Sequence, residues 1–179
     1  LPDKAVEEAR DRVSSAIKNS GFDNPKSAQQ KIVVSLSPAS LKKEGSNYDL
    51  AIALGYLLSN EDLTFDPEGK IFLGELALNG EVRGIKGVLP LVQTAKEKGF
   101  TEIFVPKENA EEAALVEGVS IFPSDTLLQV IDHLQQKKII VHQEKTMWEY
   151  SQPKTITDFC DVAEQYEVKR GLEIAASGG

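Results

Sequence analysis

Apolar residues recur at helical spacing through AVEEARDRVSSAIKNSGF, where Ala5, Ala9, Val13, Ala16 and Ile17 share one face. This predicts an amphipathic helix, with Gly21 as its stop signal. KIVVSLSP, from Lys31, alternates well enough for a strand ended by Pro38. KEGSNYDLAIALGYLL then runs from Lys43 to Leu58, a polar, glycine-bearing turn entering a segment that is apolar on nearly every side. That pattern predicts a buried helix from Asp49 to Leu58.

FDPEGK, Phe65 to Lys70, carries Asp-Pro and Glu-Gly, which are turn signals. IFLGELAL and EVRGI flank Asn79-Gly80. Asn-Gly between two β-prone runs predicts a hairpin with a type I′ turn, whose two central residues need positive φ. VLPLVQTAKEKGF reads as an amphipathic helix closed by Gly99. TEIFVP is a strand, NAEEAALVEG a short helix and VSIFP another strand. SDTLLQVIDHLQQ is a helix capped by Ser124 or Asp125. Strands alternating with helices predict parallel pairing, and the hairpin makes the expected sheet mixed.

After Gln136 the pattern weakens, and KKIIVHQEKTMWEYSQP reads as an exit strand and a linker. TITDFCDVAEQYEVKRGLEIAASGG regains helical spacing at Val168, Leu172 and Ala175. The expected division is a domain over residues 1–137, a linker over 138–155 and a helical piece over 156–179. Nothing local offers a surface for the apolar face of that last piece. The pattern holds no internal repeat and no low-complexity segment.

Length and charge narrow the class. At 179 residues the chain is long enough to bury a sizeable core. It begins on Leu1 within a helical pattern, without a starting Met, and so reads as an excised piece of a longer protein. Its first residues hold no signal-peptide pattern, and no apolar run is long enough for a membrane span. With 28 acidic and 20 basic residues, the net charge of −8 argues against strong nucleic-acid binding by these residues alone. The two histidines, His133 and His142, and the single Cys160 make a dedicated zinc or transition-metal site an unfavoured reading. A lone cysteine forms no internal disulfide, and a cytoplasmic, reducing location is expected.

The serine at the Lys43–Leu58 junction raises nucleophilic catalysis. An activated serine needs a base within hydrogen-bond reach, and a dyad of Ser46 with Lys86 is conceivable. The other reading makes Ser46 and Asn47 turn and cap residues that satisfy free N–H groups at the helix start. Paired carboxylates such as Glu7-Glu8 and Glu111-Glu112 fall on solvated helix faces. GxxxxGK[ST] does not occur, so there is no complete phosphate loop of that type. GEVRGIKG places Arg83 and Lys86 among glycines, where they could touch an anion or line a solvated turn.

KEGSNYDLAIALGYLL followed by FLGELALNGEVRGIKGVLPLVQTAKEKGFTEIFVPKENAEEA resembles the proteolytic domain of Lon-type proteases. It is more similar to the amino-terminal domain of the magnesium-chelatase-related ATPases, the ComM/YifB family. LPDKAVEEARDRVSSAIKNSGF and DFCDVAEQYEVKRGLEIAASGG resemble that family too, so the likeness spans nearly the whole chain. It implies an α/β (α+β) fold of the ribosomal-protein-S5-domain-2-like, Lon-protease-like kind, with a mixed sheet and packed helices.

The Lon pattern at this point is lysine, aspartate, glycine, proline, serine, alanine, glycine. Laid on it, KEGSNYD puts Asn47 in the nucleophile's place and Ser46 in the proline's. The catalytic lysine's place falls on Leu89 of GVLPLV, and Lys86 lies three residues short of it. The resemblance thus implies a protease shape without the protease dyad.

Relatives of this kind continue past the match to Gly178-Gly179 into a phosphate-binding loop. Residues 156–179 are therefore expected to be the first helix of an AAA+ ATPase module. Ala163-Glu164 departs from the basic residue and glycine that relatives favour before Gln165, which argues against contact with an adenine edge there. Relatives also carry a strand-forming stretch ahead of the match to Leu1, without which a sheet edge would be exposed.

The resemblance further implies that the parent binds and hydrolyses ATP with Mg2+, forms a homo-oligomeric ring and moves DNA branches during natural transformation. No cofactor or metal is expected in this chain itself. Its expected role is assembly or substrate guidance, next to the AAA+ module of the same chain, with weak or no DNA binding of its own. The surface singled out comprises Lys43, Glu44, Gly45, Ser46, Asn47 and Asp49 with Asn79, Gly80, Arg83 and Lys86. Two alternatives stand beside this: a Ser–Lys peptidase, and a partner-binding domain of a magnesium chelatase subunit.

Overall fold

A computed structural model describes residues 4–25, 32–34, 46–147 and 158–178. The chain divides into two compact units, Leu1–Met147 and Trp148–Gly179.

In the first unit, α1 (Lys4–Asn19) buries Ala9, Val13, Ala16 and Ile17, four positions of the expected face. Gly21, at φ +90°, ends it: its N–H donates to the Lys18 carbonyl and the Phe22 N–H reaches back to Ile17. Ile32–Val34, the described part of the expected KIVVSLSP strand, is exposed and forms no strand. The remainder of that run lies outside the described residues.

The helix expected at Asp49 is α2 (Asp49–Ser59). It buries Asp49, Leu50, Ala53, Leu54 and Leu57, while Gly55 and Ser59 are exposed, so it is covered on one side and not all round.

IFLGELAL does not form one strand. Lys70–Phe72 is β1, Glu75–Leu76 is β2, and Gly74 separates them at φ +150°. β2 pairs antiparallel with β3 (Val82–Arg83), placing Glu75 opposite Arg83 and Leu76 opposite Val82. α3 (Val88–Glu97) follows and ends at Gly99, φ +86°, as its sequence predicts. β4 (Glu102–Pro106) leads through a 3-10 turn at Lys107–Asn109 into α4 (Ala110–Ala113). β5 (Ser120–Ser124) and α5 (Leu127–Leu134) complete the alternation.

β1, β4 and β5 form a parallel sheet with β4 in the middle, and β2–β3 is a separate antiparallel sheet. The fold is α+β, with its parallel and antiparallel strands divided between two sheets at Gly74. Because side chains alternate along a strand, β4 feeds two cores. Phe104 packs with α1, α2 and α5 residues, whereas Ile103 and Val105 pack with α3 and α4 residues. Parallel register also aligns Phe72, Phe104 and Phe122 across the sheet. Their rings stack at centroid distances of 4.9 and 4.8 Å. Each such pair adds about 0.5–1.5 kcal/mol beyond the burial of its area.

Three local expectations are corrected. The hairpin does not close through a two-residue type I′ turn. The Ala77 N–H donates to the Glu81 carbonyl, the Gly80 N–H donates to Ala77, and only Gly80 has positive φ, at +89°. This is the three-residue form with glycine in the left-handed position. Asn79 instead uses its Oδ1 to accept the Glu81 N–H at 3.1 Å. Second, α5 is capped by Thr126, whose hydroxyl accepts the Gln129 N–H, and not by Ser124 or Asp125. Third, Lys137–Met147 forms no exit strand; Lys137 and Lys138 bend back to the Asp132 carbonyl, and further on only Gln143 and Thr146 make backbone bonds, to Ile121 and Ala114.

In the second unit, a 3-10 turn at Phe159–Asp161 carries an Asp158 capping box and is followed by α6 (Tyr166–Gly178). Val168, Leu172 and Ile174 are exposed along that helix. Glu164 and Gln165 precede it with φ of +57° and +53°. The first of these is the position where the resemblance expects glycine, whose freedom suits that conformation.

Candidate functional site

The start of α2 is closed by backbone from the β1–β2 break. The Gly74 N–H donates to the Asn47 carbonyl at 3.1 Å, and the Leu50 N–H donates to the Gly74 carbonyl at 3.2 Å. The Asp49 N–H is taken by the Ser46 carbonyl at 3.2 Å. Donors at the helix start are thus met by main-chain oxygens, and no side chain caps the helix. This corrects the expectation that the Ser46 and Asn47 side chains do that work. Residue 74 is glycine for a second reason, its contact with β3: a Cβ there would lie 2.5 Å from Val82 Cγ1.

Asp49 is 1% exposed, so it belongs to the interior and not to the interaction surface expected of it. Its carboxylate receives Arg12 Nε at 2.7 Å and Nη2 at 3.2 Å, and the Leu76 N–H at 3.3 Å. Burial pushes this carboxyl above the ordinary carboxylate range, while the Arg12 guanidinium and the Leu76 N–H pull it back down. The result is a strut joining α1, α2 and β2.

Ser46, half-buried, donates its hydroxyl to a Glu75 carboxylate oxygen. A carboxylate is a much weaker base than imidazole or a neutral amine, and so activates a hydroxyl poorly. Lys86 and Arg83 are exposed. Asn47 offers a carboxamide, which is no nucleophile, and Leu89, 36% exposed at the start of α3, offers no proton to exchange.

The GIKG turn before α3 is held by a residue that sequence reasoning missed. Buried Asn109 accepts the Ile85 N–H through Oδ1 at 2.8 Å and donates Nδ2 to the Ile85 carbonyl at 3.0 Å. Its carboxamide thus pairs with Ile85 as a neighbouring strand would, while Val82 bonds to the Asp125 carbonyl. At the hairpin tip, Asn19 Nδ2 donates to the Leu78 carbonyl at 2.6 Å and the Leu127 N–H bonds to Gly80. Asn79 is exposed, but Gly80 is buried by these contacts and leaves the proposed surface.

Ser46, Asn47 and Arg83 therefore gather around β2 and β3, whereas Asn79 sits at the hairpin tip. Lys43, Glu44 and Gly45 lie outside the described residues. Arg12, Gly74, Glu75 and Asn109 complete the local architecture, and sequence reasoning singled out none of them; an isolated glycine inside a β-prone run is the one signal that could have found Gly74. Among the described residues, no three His, Cys, Asp or Glu side chains gather as a metal site would require. No described helix is long and apolar enough to cross a membrane.

An α+β unit with this layout places the chain in a class that comparisons with known proteins define further. Residues 1–109 match the family described as subunit ChlI of Mg-chelatase, and the chain belongs to that family. It is 39% identical over 183 residues to the competence protein ComM of Haemophilus influenzae, covering 99% of this chain and 35% of that protein. It is 41% identical over 180 residues to the uncharacterized protein YifB of Salmonella typhimurium, covering 100% of this chain and 34% of that protein. A shorter stretch, 54% of this chain and 18% of the relative, is 29% identical to Lon protease 2 of Bacillus subtilis. The chain corresponds to the ComM/YifB amino-terminal domain, and spans about a third of the length of those two relatives.

Proposed function

We propose that this chain is a non-catalytic accessory domain of a ComM/YifB-like, magnesium-chelatase-related AAA+ ATPase. The observation that carries the reading is the occupancy of the two dyad places by Asn47 and Leu89, beside a helix start already closed by Gly74. A domain that keeps a protease-like layout without nucleophile or base has a scaffold to offer, and Ser46, Arg83 and Lys86 are the polar groups it presents beside β2, β3 and the turn before α3.

The sequence holds no GxxxxGK[ST] loop, and among the described residues no three His, Cys, Asp or Glu side chains gather. Nucleotide chemistry is assigned to the remainder of the parent protein. That protein is proposed to bind and hydrolyse ATP with Mg2+, to assemble as a ring in the cytoplasm, and to move DNA branches; the relative ComM is named a competence protein. With a net charge of −8, this chain contributes guidance or assembly in preference to phosphate contacts.

The test uses the full-length protein with a branched DNA substrate. ATP-dependent branch movement, weakened when Arg83 and Lys86 are both changed to Glu while DNA-free ATP hydrolysis holds, supports the reading. ATP-independent peptide cleavage that disappears in Ser46→Ala contradicts it. The match to subunit ChlI favours a second reading, docking to a larger chelatase subunit, for which co-purification with such a subunit is the direct check.

A further inference from the structure

A cleft in the described part of the first unit lies away from β2 and β3. It measures about 590 Å³ and opens between the Thr64–Asp66 loop, the start of β1 and β4, and the C-terminal end of α5. Four ionisable side chains line it: Asp66, Lys70, Glu102 and His133.

Lys70 Nζ is already engaged by Glu102 Oε1 at 3.3 Å. The His133 ring packs against Phe104 and Phe122, and its Nδ1 accepts the Ile140 N–H at 2.9 Å. A protonated imidazole has no acceptor nitrogen, so this bond requires the neutral ring. Two carboxylates against one paired ammonium and one neutral imidazole leave the cleft with a net negative charge.

Gln135 adds an unmet demand. Its Oε1 is shielded from solvent and has no hydrogen-bond partner, an unfavourable state for a buried acceptor. The terminal torsion of glutamine is broad, so the carboxamide can turn this oxygen to a donor entering the cleft. Phe65, half-buried, and Ile139, 62% exposed, supply apolar walls beside these acceptors.

We propose that this cleft binds a planar, cationic N–H donor group on an apolar stem, an amidinium or guanidinium. Glu102 and Asp66 supply the counter-charge, Gln135 accepts an in-plane N–H, and Phe65 and Ile139 cover the stem. Planar donors suit carboxylates because two N–H groups can be aligned at once. Phosphate-bearing ligands are disfavoured by the same two carboxylates. The negative total charge of the chain draws a cationic ligand toward it.

The test compares benzamidine, benzamide and benzoate, which share a ring and differ in charge. Binding to the 179-residue chain is followed by amide chemical shifts near pH 7. Benzamidine is expected to bind at least about tenfold more tightly than benzoate, with benzamide between them. The shifts should be confined to residues 64–70, 102 and 133–139. Glu102→Gln should weaken benzamidine about fivefold or more while leaving benzamide nearly unchanged. Should that variant unfold, Asp66→Asn, at an exposed loop position, makes the same comparison.

N-acetylarginine methylamide is the second arm. Tighter binding than benzamidine assigns the source to a peptide side chain, and weaker binding to a small aromatic cation. Equal binding of the three benzene derivatives, shifts elsewhere on the unit, or no shift at tens of millimolar overturns the proposal.

Discussion

Arg12 and Asp49, 37 residues apart, form a two-pronged ion pair, with Nε at 2.7 Å from Oδ2 and Nη2 at 3.2 Å from Oδ1. The carboxylate is almost wholly enclosed while the guanidinium keeps 24% of its side chain exposed. Removing the arginine strands a charge that water reaches poorly. Arg12→Met is therefore expected to cost about 2–3 kcal/mol near neutral pH, at or just below the range for fully buried pairs because the Arg12 side chain is partly exposed.

The pH dependence of that variant follows from sign. The folded-state pKa of Asp49 lies above its ordinary 3.8, so the folded protein holds this proton more tightly than the unfolded chain does. Stability from this group is then lost as pH rises through the folded value and regained on acidification. Without Arg12 the shift is larger, and the cost of Arg12→Met should shrink between about pH 7 and pH 5. Urea unfolding at both values checks this; a cost that grows on acidification would exclude the stranded carboxylate as its cause.

Gly74 makes a second, independent prediction. At φ +150°, with Val82 Cγ1 2.5 Å from the place of a Cβ, Gly74→Ala meets both backbone strain and a collision. A loss of about 2–4 kcal/mol is expected. Val82→Ala should recover part of it in the double variant, because it removes the collision and leaves the strain. Strictly additive losses in that double-mutant cycle would show that the two residues do not couple.

His133 sets a pH limit of its own. Burial lowers its pKa below the ordinary 6.5, with Lys70 adding to the effect and Glu102 opposing it. The unfolded chain then takes up the proton first, so stability falls as pH drops below about 6.5. Protonation also removes the acceptor that holds the Ile140 N–H. The protection of the Ile140 N–H against exchange is expected to fall on acidification, so that its exchange slows less than the intrinsic base-catalysed rate does. His133→Phe should flatten the stability profile between about pH 7 and pH 5, and an unchanged slope in that variant would exclude His133 as its source.

Much of the helix layout was legible because local signals agreed with the final packing. The Ala9–Val13–Ala16–Ile17 face and the glycine stops at Gly21 and Gly99 needed only periodicity and backbone freedom. The hairpin was legible from Asn79-Gly80, but its form was not, since Asn79 satisfies its neighbour's N–H with a side chain instead of adopting positive φ. Ser124, Asp125 and Thr126 are three adjacent capping residues, and local sequence does not rank them.

The strand break at Gly74 was hidden because IFLGELAL reads as one apolar run. Its cause is tertiary: the glycine backbone turns aside to bond Asn47 and Leu50. Likewise, the helix that seemed apolar all round contains Asp49, whose burial depends on an arginine from a distant helix. The residues in the two dyad places, Asn47 and Leu89, were readable by resemblance, while the enclosure of Asp49 and Gly80 in the candidate surface required the contacts themselves.

Covalent probing of Ser46 tests the central claim most directly. The chain should be incubated with a peptidyl phosphonate and with an acylating serine probe, then mapped by peptide mass spectrometry. The account predicts no adduct on Ser46, because its hydroxyl is bound to Glu75 and the flanking dyad places hold an amide and an aliphatic side chain. A stoichiometric adduct on Ser46, lost in Lys86→Ala, would contradict it.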